Sequence, residues 1–507
     1  MKIISSQQLK DAEQATIESG VLSKAHLVAN AAQATFKRLI KKLKKDSRIY
    51  VFCGNGDNGA DGLATALLLS KKGYDPRVYL VKTGNSSSEL RNQLTSDLRK
   101  LQTIPIYEVS DIKTFPTLKK DDLIVDALIG SGLSRAIDNK SLLGKVVNKI
   151  NKSEAFVLAI DVPSGLPGEM LVEDACIKAD ETVVLERPRV SFLLKESADY
   201  LGDWNIDSIG LDYKYIESLE SPFHYTTEEI ANKLLRKIKR DDFTYKHKLG
   251  HVLIAAGSRG YSGAALLATK SALVAGCGLV TANIPEGIVT ALQVYIPESM
   301  YIADRKQDHL SNIPFDKKFD AFAIGPGIST HDDVVQALDS FLGQCNLKTN
   351  LVLDADALNI LSENESMLDM LPPNTVITPH HGEFKRLTGD WEDSIEMLET
   401  LQGFVISHGI TVVLKGKYTA VATPDGSIHF NSSGNSGLAT AGTGDVLTGI
   451  IASLIAQGLP TAEAAILGVY LHGRAADIAA KEIGVQALSA SVLIDYLGKA
   501  YLSLQTD

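Results

Sequence analysis

Short unbroken apolar runs alternate with longer stretches of helical spacing along most of the chain. Such runs predict strands buried on both faces of a parallel sheet, with the helical stretches as crossovers. Two helices are expected first, over Gln7–Ile17 and Leu22–Lys45; the second ends in lysines and Arg38, which suit a solvated helix C-terminus. Arg48–Cys53, Arg77–Val81, Asp122–Val125 and Ala155–Ile160 read as strands, with helices over Leu63–Lys72 and Ser88–Leu101. The alternation stops around Asp212–Asp242, where Ser221-Pro222 marks a break before a short charged helix, Thr227–Lys239. It resumes with strands at Gly250–Ala256, Phe319–Ile324, Asn350–Leu353, Val376-Ile377 and Thr411–Leu414, and a helix over Ala264–Ala275. Tyr418–Thr423 and Ser427–Asn431 flank Pro424-Asp425-Gly426, a hairpin signal that predicts antiparallel structure at an edge of the second sheet. The expected fold is α/β in two domains, 1–218 and 222–507.

Composition narrows the class. At 507 residues the chain exceeds one ordinary core, and 45% apolar with 22% charged residues is typical of a soluble globular protein. A net charge of −10 argues against a chain built to grip nucleic acid. Cys53, Cys176, Cys277 and Cys345 are far apart, so neither a zinc ribbon nor a disulfide scaffold is indicated. The N-terminal residues lack the apolar core of a signal peptide, and no run reaches membrane-spanning length, so a cytoplasmic protein is expected.

The candidate chemistry lies where the strands end. The first strand runs into Gly54-Asn55-Gly56-Asp57-Asn58-Gly59-Ala60-Asp61-Gly62, a loop that enters a helix, as in the nucleotide site of a Rossmann-like unit. Asp57, Asn58 and Asp61 add oxygen donors that can coordinate a cation or hold ribose hydroxyls. Two further strands end in Asp126-Ala127-Leu128-Ile129-Gly130 and Asp161-Val162-Pro163-Ser164-Gly165. One such Asp is ordinarily a turn or cap residue, whereas three polar strand ends favour a ligand site. The second half repeats the arrangement at Gly257–Ala265, Gly325-Pro326-Gly327, Asp354–Asn359, Thr378–Phe384 and Lys415-Gly416. Gly442-Thr443-Gly444-Asp445 then precedes an apolar helical run, Val446–Ala452. Two readings meet this turn: a tight entry into a buried helix, or a phosphate-holding helix N-terminus whose Asp takes a proton from an attacking hydroxyl. His380 and His381 lack a third ligand at zinc spacing, which makes one of them a substrate contact and the other an exposed residue.

Gly54–Gly62, Asp126–Leu133 and Asp161–Gly165 resemble the N-terminal domain family of NAD(P)H-hydrate epimerases, with its G-x-G-N-N-G-G-D-G, D-A-x-x-G-T-G and D-x-P-S-G segments. Ala179–Leu185 and Pro188-Arg189 are similar to its A-D-x-T-V-T-F and P-K. The resemblance implies a potassium ion held with Asn58, Asp126 and Ser164. It implies hydrate contacts from Asp57, Asn58, Gly59, Ala60, Asp61, Gly130, Ser131, Gly132, Leu133, Ser134, Arg135, Ala136 and Asp161, with Asp161 moving the proton. Asp57 stands where the family has Asn, Ala60 replaces a Gly, Ser131 a Thr and Arg189 a Lys. An Arg does not exchange protons at neutral pH.

The second half resembles the ribokinase-like fold, whose terminal G-x-G-D supplies the phosphate turn and catalytic Asp. Within it, G-S-R-G-Y-S-G-A, G-P-G, D-A-D-A-L-N, T-P-H-x-G-E and L-K-G look like the ADP- or ATP-dependent NAD(P)H-hydrate dehydratase, over nearly all of 245–485. That resemblance implies hydrate contacts from Ala264, Gly327, His380 and Asp445, with Asp445 as base. It implies nucleotide contacts from Lys415, Gly416, Lys417, Tyr418 and Thr419, and from Asn435, Ser436, Gly437, Leu438, Ala439, Thr440, Ala441, Gly442, Thr443 and Gly444. Magnesium would come with the ADP or ATP. Together the halves resemble a bifunctional nicotinamide-nucleotide repair family; its homo-oligomeric state, nucleotide donor and NADH or NADPH preference stay open. The rival is a small-molecule kinase of the same fold with a silent nucleotide- or RNA-binding first domain.

Overall fold

The computed structural model describes residues 1–44, 46–84, 86–133 and 135–505. The chain forms two compact units, Lys2–Ser221 and Pro222–Asp507, the second also including Met1.

Among the described residues the first unit holds seven strands: β1 (Ile49–Cys53), β2 (Pro76–Val81), β3 (Ile106–Val109), β4 (Leu123–Ala127), β5 (Phe156–Ile160), β6 (Glu181–Leu185) and β7 (Asp203–Asp207). Their order is β3-β2-β1-β4-β5-β6-β7 and every neighbouring pair is parallel. β1 and β4 are entirely buried, as an apolar run covered by helices on both faces requires. The connections leave β1 toward one edge and β4 toward the other, so the crevice above these two strands is the switch point where such sheets bind ligands. Cys53 pairs with Ala127, which sets the Gly54 and Leu128 loops side by side.

The structure corrects the first glycine loop. Only Gly54–Gly56 form the turn, and the helix begins at Asp57 and runs to Lys71. Gly59 and Gly62 are helical glycines placed for packing. A Cβ on Gly59 would collide with the Gly54 carbonyl, and one on Gly62 would lie 2.5 Å from Ala127 Cβ and 2.8 Å from Cys53 Sγ. Close helix-to-strand approach therefore explains the glycines that a loop reading would spend on turns. The second helix also stops early, at Leu39, so only Lys37 and Arg38 fall in its last turn.

The second unit contains β8 (Phe223–Thr226), β9 (His251–Ala255), β10 (Leu279–Ile284), β11 (Met300–Ala303), β12 (Ala321–Ile324), β13 (Leu351–Leu353), β14 (Thr375–Ile377), β15 (Thr411–Leu414), β16 (Ala420–Ala422) and β17 (Ile428–Asn431). They form one sheet in the order β11-β10-β9-β12-β13-β14-β15-β16-β17-β8, with β9 and β12 at its switch point. Among the described residues only β15–β16 and β16–β17 are antiparallel. The hairpin at Pro424-Asp425-Gly426 is present but does not close the sheet. β8, from the segment expected to lack strands, pairs parallel to β17 and forms that edge. Four residues of mixed polarity carry too little alternation to be read as a strand without their partner. Among the described residues no helix is long and apolar enough to cross a membrane.

Candidate active sites

A cavity of about 1180 Å³ opens above the switch point of the first sheet. Asp57, Asn58, Asp61, Gly130, Ser131, Gly132, Leu133, Arg135, Ala136 and Asp161 all line it, as does Glu13 from the helix Ser6–Glu18. Gly59 and Ala60 do not: both are buried in the helix packed on the sheet, so the Ala60 methyl does not narrow the cavity. Ser134 lies outside the described residues.

Asp161 follows β5 with a left-handed backbone, φ 65°. An Asp adopts it at a cost of about 1 kcal/mol, and such strain concentrates at functional sites. Its Oδ2 accepts the Ser131 N–H at 3.1 Å, and its Oδ1 accepts Arg189 Nη2 at 3.2 Å. Arg189 is fully buried, so the substituted cation serves as a fixed counter-charge. Asp57 stands at the rim, 2.7 Å from Lys24 Nζ and 2.6 Å from Ser88 Oγ. Burial, then Glu13, Asp161 and Asp57, pushes the Asp61 carboxyl well above the usual range. Burial and the same acidic neighbours push Glu13 up to about 7.

Below the cavity, Asp126 is buried, with no cationic partner among the described residues. Its carboxylate accepts Ser164 Oγ at 2.6 Å, Ser164 N at 2.8 Å and Leu128 N at 3.2 Å, yet burial still pushes it up to about 6. Ser164 Oγ also receives the Ile129 N–H at 2.8 Å. One residue on, a Cβ at Gly130 would lie 3.1 Å from Asn58 Cγ. Both polar atoms of the Asn58 amide are buried without a partner among the described residues. An unsatisfied amide oxygen, a hydroxyl and an uncompensated buried carboxylate are the all-oxygen set that a hard cation takes.

In the second unit the strand ends converge on the helix Thr443–Ala456, which begins three residues before the apolar run that predicted it. Asp445 thus sits in the first helical turn. Gly442 has φ 88°, and its turn packs against Leu267 and Ala490. Deeper in the helix, a Cβ at Gly449 would collide with Ser271 Oγ and the Ala268 carbonyl. Beside the turn, Lys415 Nζ from the end of β15 lies 2.9 Å from Asp354 Oδ1 and 4.0 Å from Glu383 Oε2. Thr448 Oγ1 donates to Asp354 Oδ2 at 2.8 Å. A Cβ at Gly444 would lie only 3.5 Å from that ammonium. Burial opposes the Lys415 charge, but Asp354 and Glu383 outweigh it and raise its pKa. Burial and Asp354 push Asp445 up to about 7, with Lys415 opposing.

Around this centre, Gly327 has φ 61° and packs where a Cβ would lie 3.1 Å from Ala264 Cβ, so those two predicted contacts are neighbours. His380 is exposed and caps the helix His381–Thr388, its Nδ1 accepting Gly382 N at 2.9 Å and Glu383 N at 3.2 Å. His381 is also exposed, edge-on to Trp391. The Lys415–Thr419 loop is closed by Thr419 Oγ1, which donates to the Gly416 carbonyl at 3.0 Å; Lys417 covers the Tyr418 ring. Asn435 caps the turn Ser436–Leu438, while Ala439, Thr440 and Ala441 are exposed. Thr443 Oγ1 donates to the Leu438 and Thr440 carbonyls. Buried His472, held neutral at about 4 chiefly by burial, donates from Nε2 to the Thr443 carbonyl at 2.8 Å. Asp354 stands in a motif noted from sequence, but its pairing with Lys415 spans 61 residues and left no local signal. His472, inside an apolar helix, left none either.

Two family descriptions cover these units: "YjeF-related protein N-terminus" matches residues 24–191, and "NAD(P)H-hydrate dehydratase" matches 252–499. The bifunctional NAD(P)H-hydrate repair enzyme of Moorella thermoacetica is 34% identical over 91% of this chain and 88% of its own. This chain belongs to that repair-enzyme family. The Escherichia coli enzyme of the same name is 30% identical over 93% of this chain and 88% of its own. Among solved structures, the ADP/ATP-dependent NAD(P)H-hydrate dehydratase of Bacillus subtilis, co-crystallised with ATP and magnesium, is 31% identical over 56% of this chain and 99% of that one, with a TM-score of 0.49.

Proposed function

We propose that this chain restores hydrated nicotinamide nucleotides in the cytoplasm. Residues 1–218 interconvert the R and S hydrates, and residues 222–507 dehydrate one of them at the expense of ADP or ATP. The observation that carries the reading is Asp445: a carboxyl poised near neutrality in the first turn of a helix, beside the buried Lys415–Asp354 pair. A base is most effective when its pKa lies near the working pH.

Hydration of the reduced ring places a hydroxyl on the carbon beside the ring nitrogen. Asp445 takes the hydroxyl proton as the oxygen attacks the terminal phosphoryl group of the magnesium nucleotide, and AMP or ADP leaves. The Lys415 ammonium and the N–H groups of Thr443 and Gly444 meet the charge that develops on the transferred group. The ring nitrogen then expels phosphate, a far better leaving group than hydroxide, and loss of a proton from the neighbouring carbon restores the double bond. Ala264, Gly327 and His380 form the hydrate side; the Lys415–Thr419 and Asn435–Gly444 segments form the nucleotide side.

In the first unit, Asn58, Asp126 and Ser164 would hold a potassium ion, which would supply a positive charge beside the buried Asp126 and a partner for the Asn58 amide oxygen. Asp161 moves the proton, oriented by Arg189 and the Ser131 N–H.

The test is incubation with NADH hydrate and magnesium, comparing ADP with ATP, while following reduced-nicotinamide absorbance and free phosphate. Both should appear in step. A stable phosphorylated product without recovered absorbance would replace this reading with a kinase. Exchanging potassium for choline should slow R/S interconversion and leave dehydration unchanged.

A further inference from the structure

We infer that Glu13 is the second proton-transfer group of the first unit's cavity, acting with Asp161 on opposite faces of the hydrated ring. The inference rests on the epimerase reading. A carbon bearing a hydroxyl beside a ring nitrogen inverts when the protonated hydroxyl leaves as water, pushed out by the nitrogen electron pair. Water then adds to the other face of the resulting iminium and gives up a proton. One acid and one base are needed, one carboxyl protonated and one ionised, and one proton passes between them in each turnover.

Asp161 supplies one of the two. Arg189 cannot supply the other, because a guanidinium does not release its proton near neutrality. Asp57 is committed to Lys24 and Ser88 at the rim. Glu13 reaches the cavity from a different wall, the helix Ser6–Glu18, at a position one helical turn from buried Leu9, where an apolar residue is expected. It makes no hydrogen bond or ion pair among the described residues. The charges that face it are Asp161 beyond β5, Asp57 on the helix Asp57–Lys71, Arg189 beyond β6, and Lys24 on the helix Lys24–Leu39; Lys10 of its own helix also lines the cavity. Burial with this surrounding leaves it near neutrality at about 7, while burial and the neighbouring Glu13, Asp161 and Asp57 raise the Asp61 carboxyl well above the usual carboxylate range. A group that changes protonation within the working range can act in both directions of a reversible isomerisation.

The experiment uses the full chain and NADPH hydrate, with R/S interconversion followed by chromatography. Glu13→Gln should lower kcat by at least about 100-fold with KM near that of the unaltered chain, and should remove the pH-rate limb near 7. Glu13→Asp should recover part of the rate with the limb shifted. Thermal unfolding followed by Trp204 fluorescence in a Trp391→Phe background checks that the first unit stays folded. If Glu13→Gln does not fold, the folded Glu13→Asp variant decides, and an unmoved pH limb overturns the inference. A Glu13→Gln rate equal to that of the unaltered chain, or a loss confined to KM, also overturns it, as does Asp61→Asn abolishing the limb while Glu13→Gln keeps it. If the unaltered chain interconverts nothing, the epimerase reading itself fails, which is a separate result.

Discussion

Replacing Asp445 by Asn should abolish dehydration and, above neutral pH, make the second unit more stable. Asp445 is raised from 3.8 to about 7, with burial the first cause and Asp354 the second. At about 1.4 kcal/mol for each tenfold in proton affinity, the ceiling on the stability held back is about 4 kcal/mol. Asp445 is only half-buried, and solvent screening reduces that to roughly 1–2 kcal/mol. The sign follows from linkage: the folded state binds this proton more tightly than the unfolded state. The unaltered chain therefore loses stability as pH rises from about 4 through about 7, and the Asn variant does not. At pH 8 the variant should melt roughly 2–8 °C higher, and near pH 4 the two should coincide. The chain has two tryptophans, one in each unit, so Trp391 fluorescence in a Trp204→Phe background reports the second unit alone. Recovery of reduced nicotinamide should fall by at least about 100-fold while R/S interconversion continues. A variant that is less stable at pH 8, or a difference that persists at pH 4, would refute the electrostatic account of Asp445.

The same pKa predicts that dehydration in the unaltered chain rises with pH along a limb centred near 7, since the ionised carboxylate is the base; a limb near 4 would contradict it. Lys415→Met should raise the KM for ADP and ATP and move that limb to higher pH, because Lys415 opposes the upward shift of Asp445. It also strands buried Asp354, so a loss of about 3–5 kcal/mol by denaturant titration is expected. Asp161→Asn should abolish R/S interconversion and leave dehydration unchanged; persisting interconversion would remove Asp161 from its role. Gly449→Ala forces a methyl into Ser271 and the Ala268 carbonyl, and should cost about 1–3 kcal/mol of stability by thermal melting.

Much of the two sheets was legible from local pattern. Central strands such as β1 and β4 are covered on both faces, so the run is apolar apart from Asp126 at the ligand end of β4, and it stands out. Edge strands were not legible: β3 is half exposed and β8 is four residues of mixed polarity, because each needs burial on only one side. The hairpin turn was readable from Pro424-Asp425-Gly426, but its place one strand inside the edge depends on β8 arriving from elsewhere in the chain. The glycines of Gly54–Gly62 were visible and their purpose was not, since a glycine that admits a strand and one that makes a turn look alike in sequence.

Which residue types stand at each strand end follows from chain order alone, and with it that carboxylates, glycines and Lys415 gather where α/β sheets bind ligands. Their protonation and pairing depend on the folded surroundings. The motif around Asp445 names a candidate base and nothing local marks Glu13, but for both it is burial beside carboxylates distant in the chain that brings the group near neutrality. Arg189 became a fixed counter-charge to Asp161, and the Asn58 amide a donor without a partner, for the same reason. Proton affinity and desolvation are set by what surrounds a group in space, and chain order does not record that.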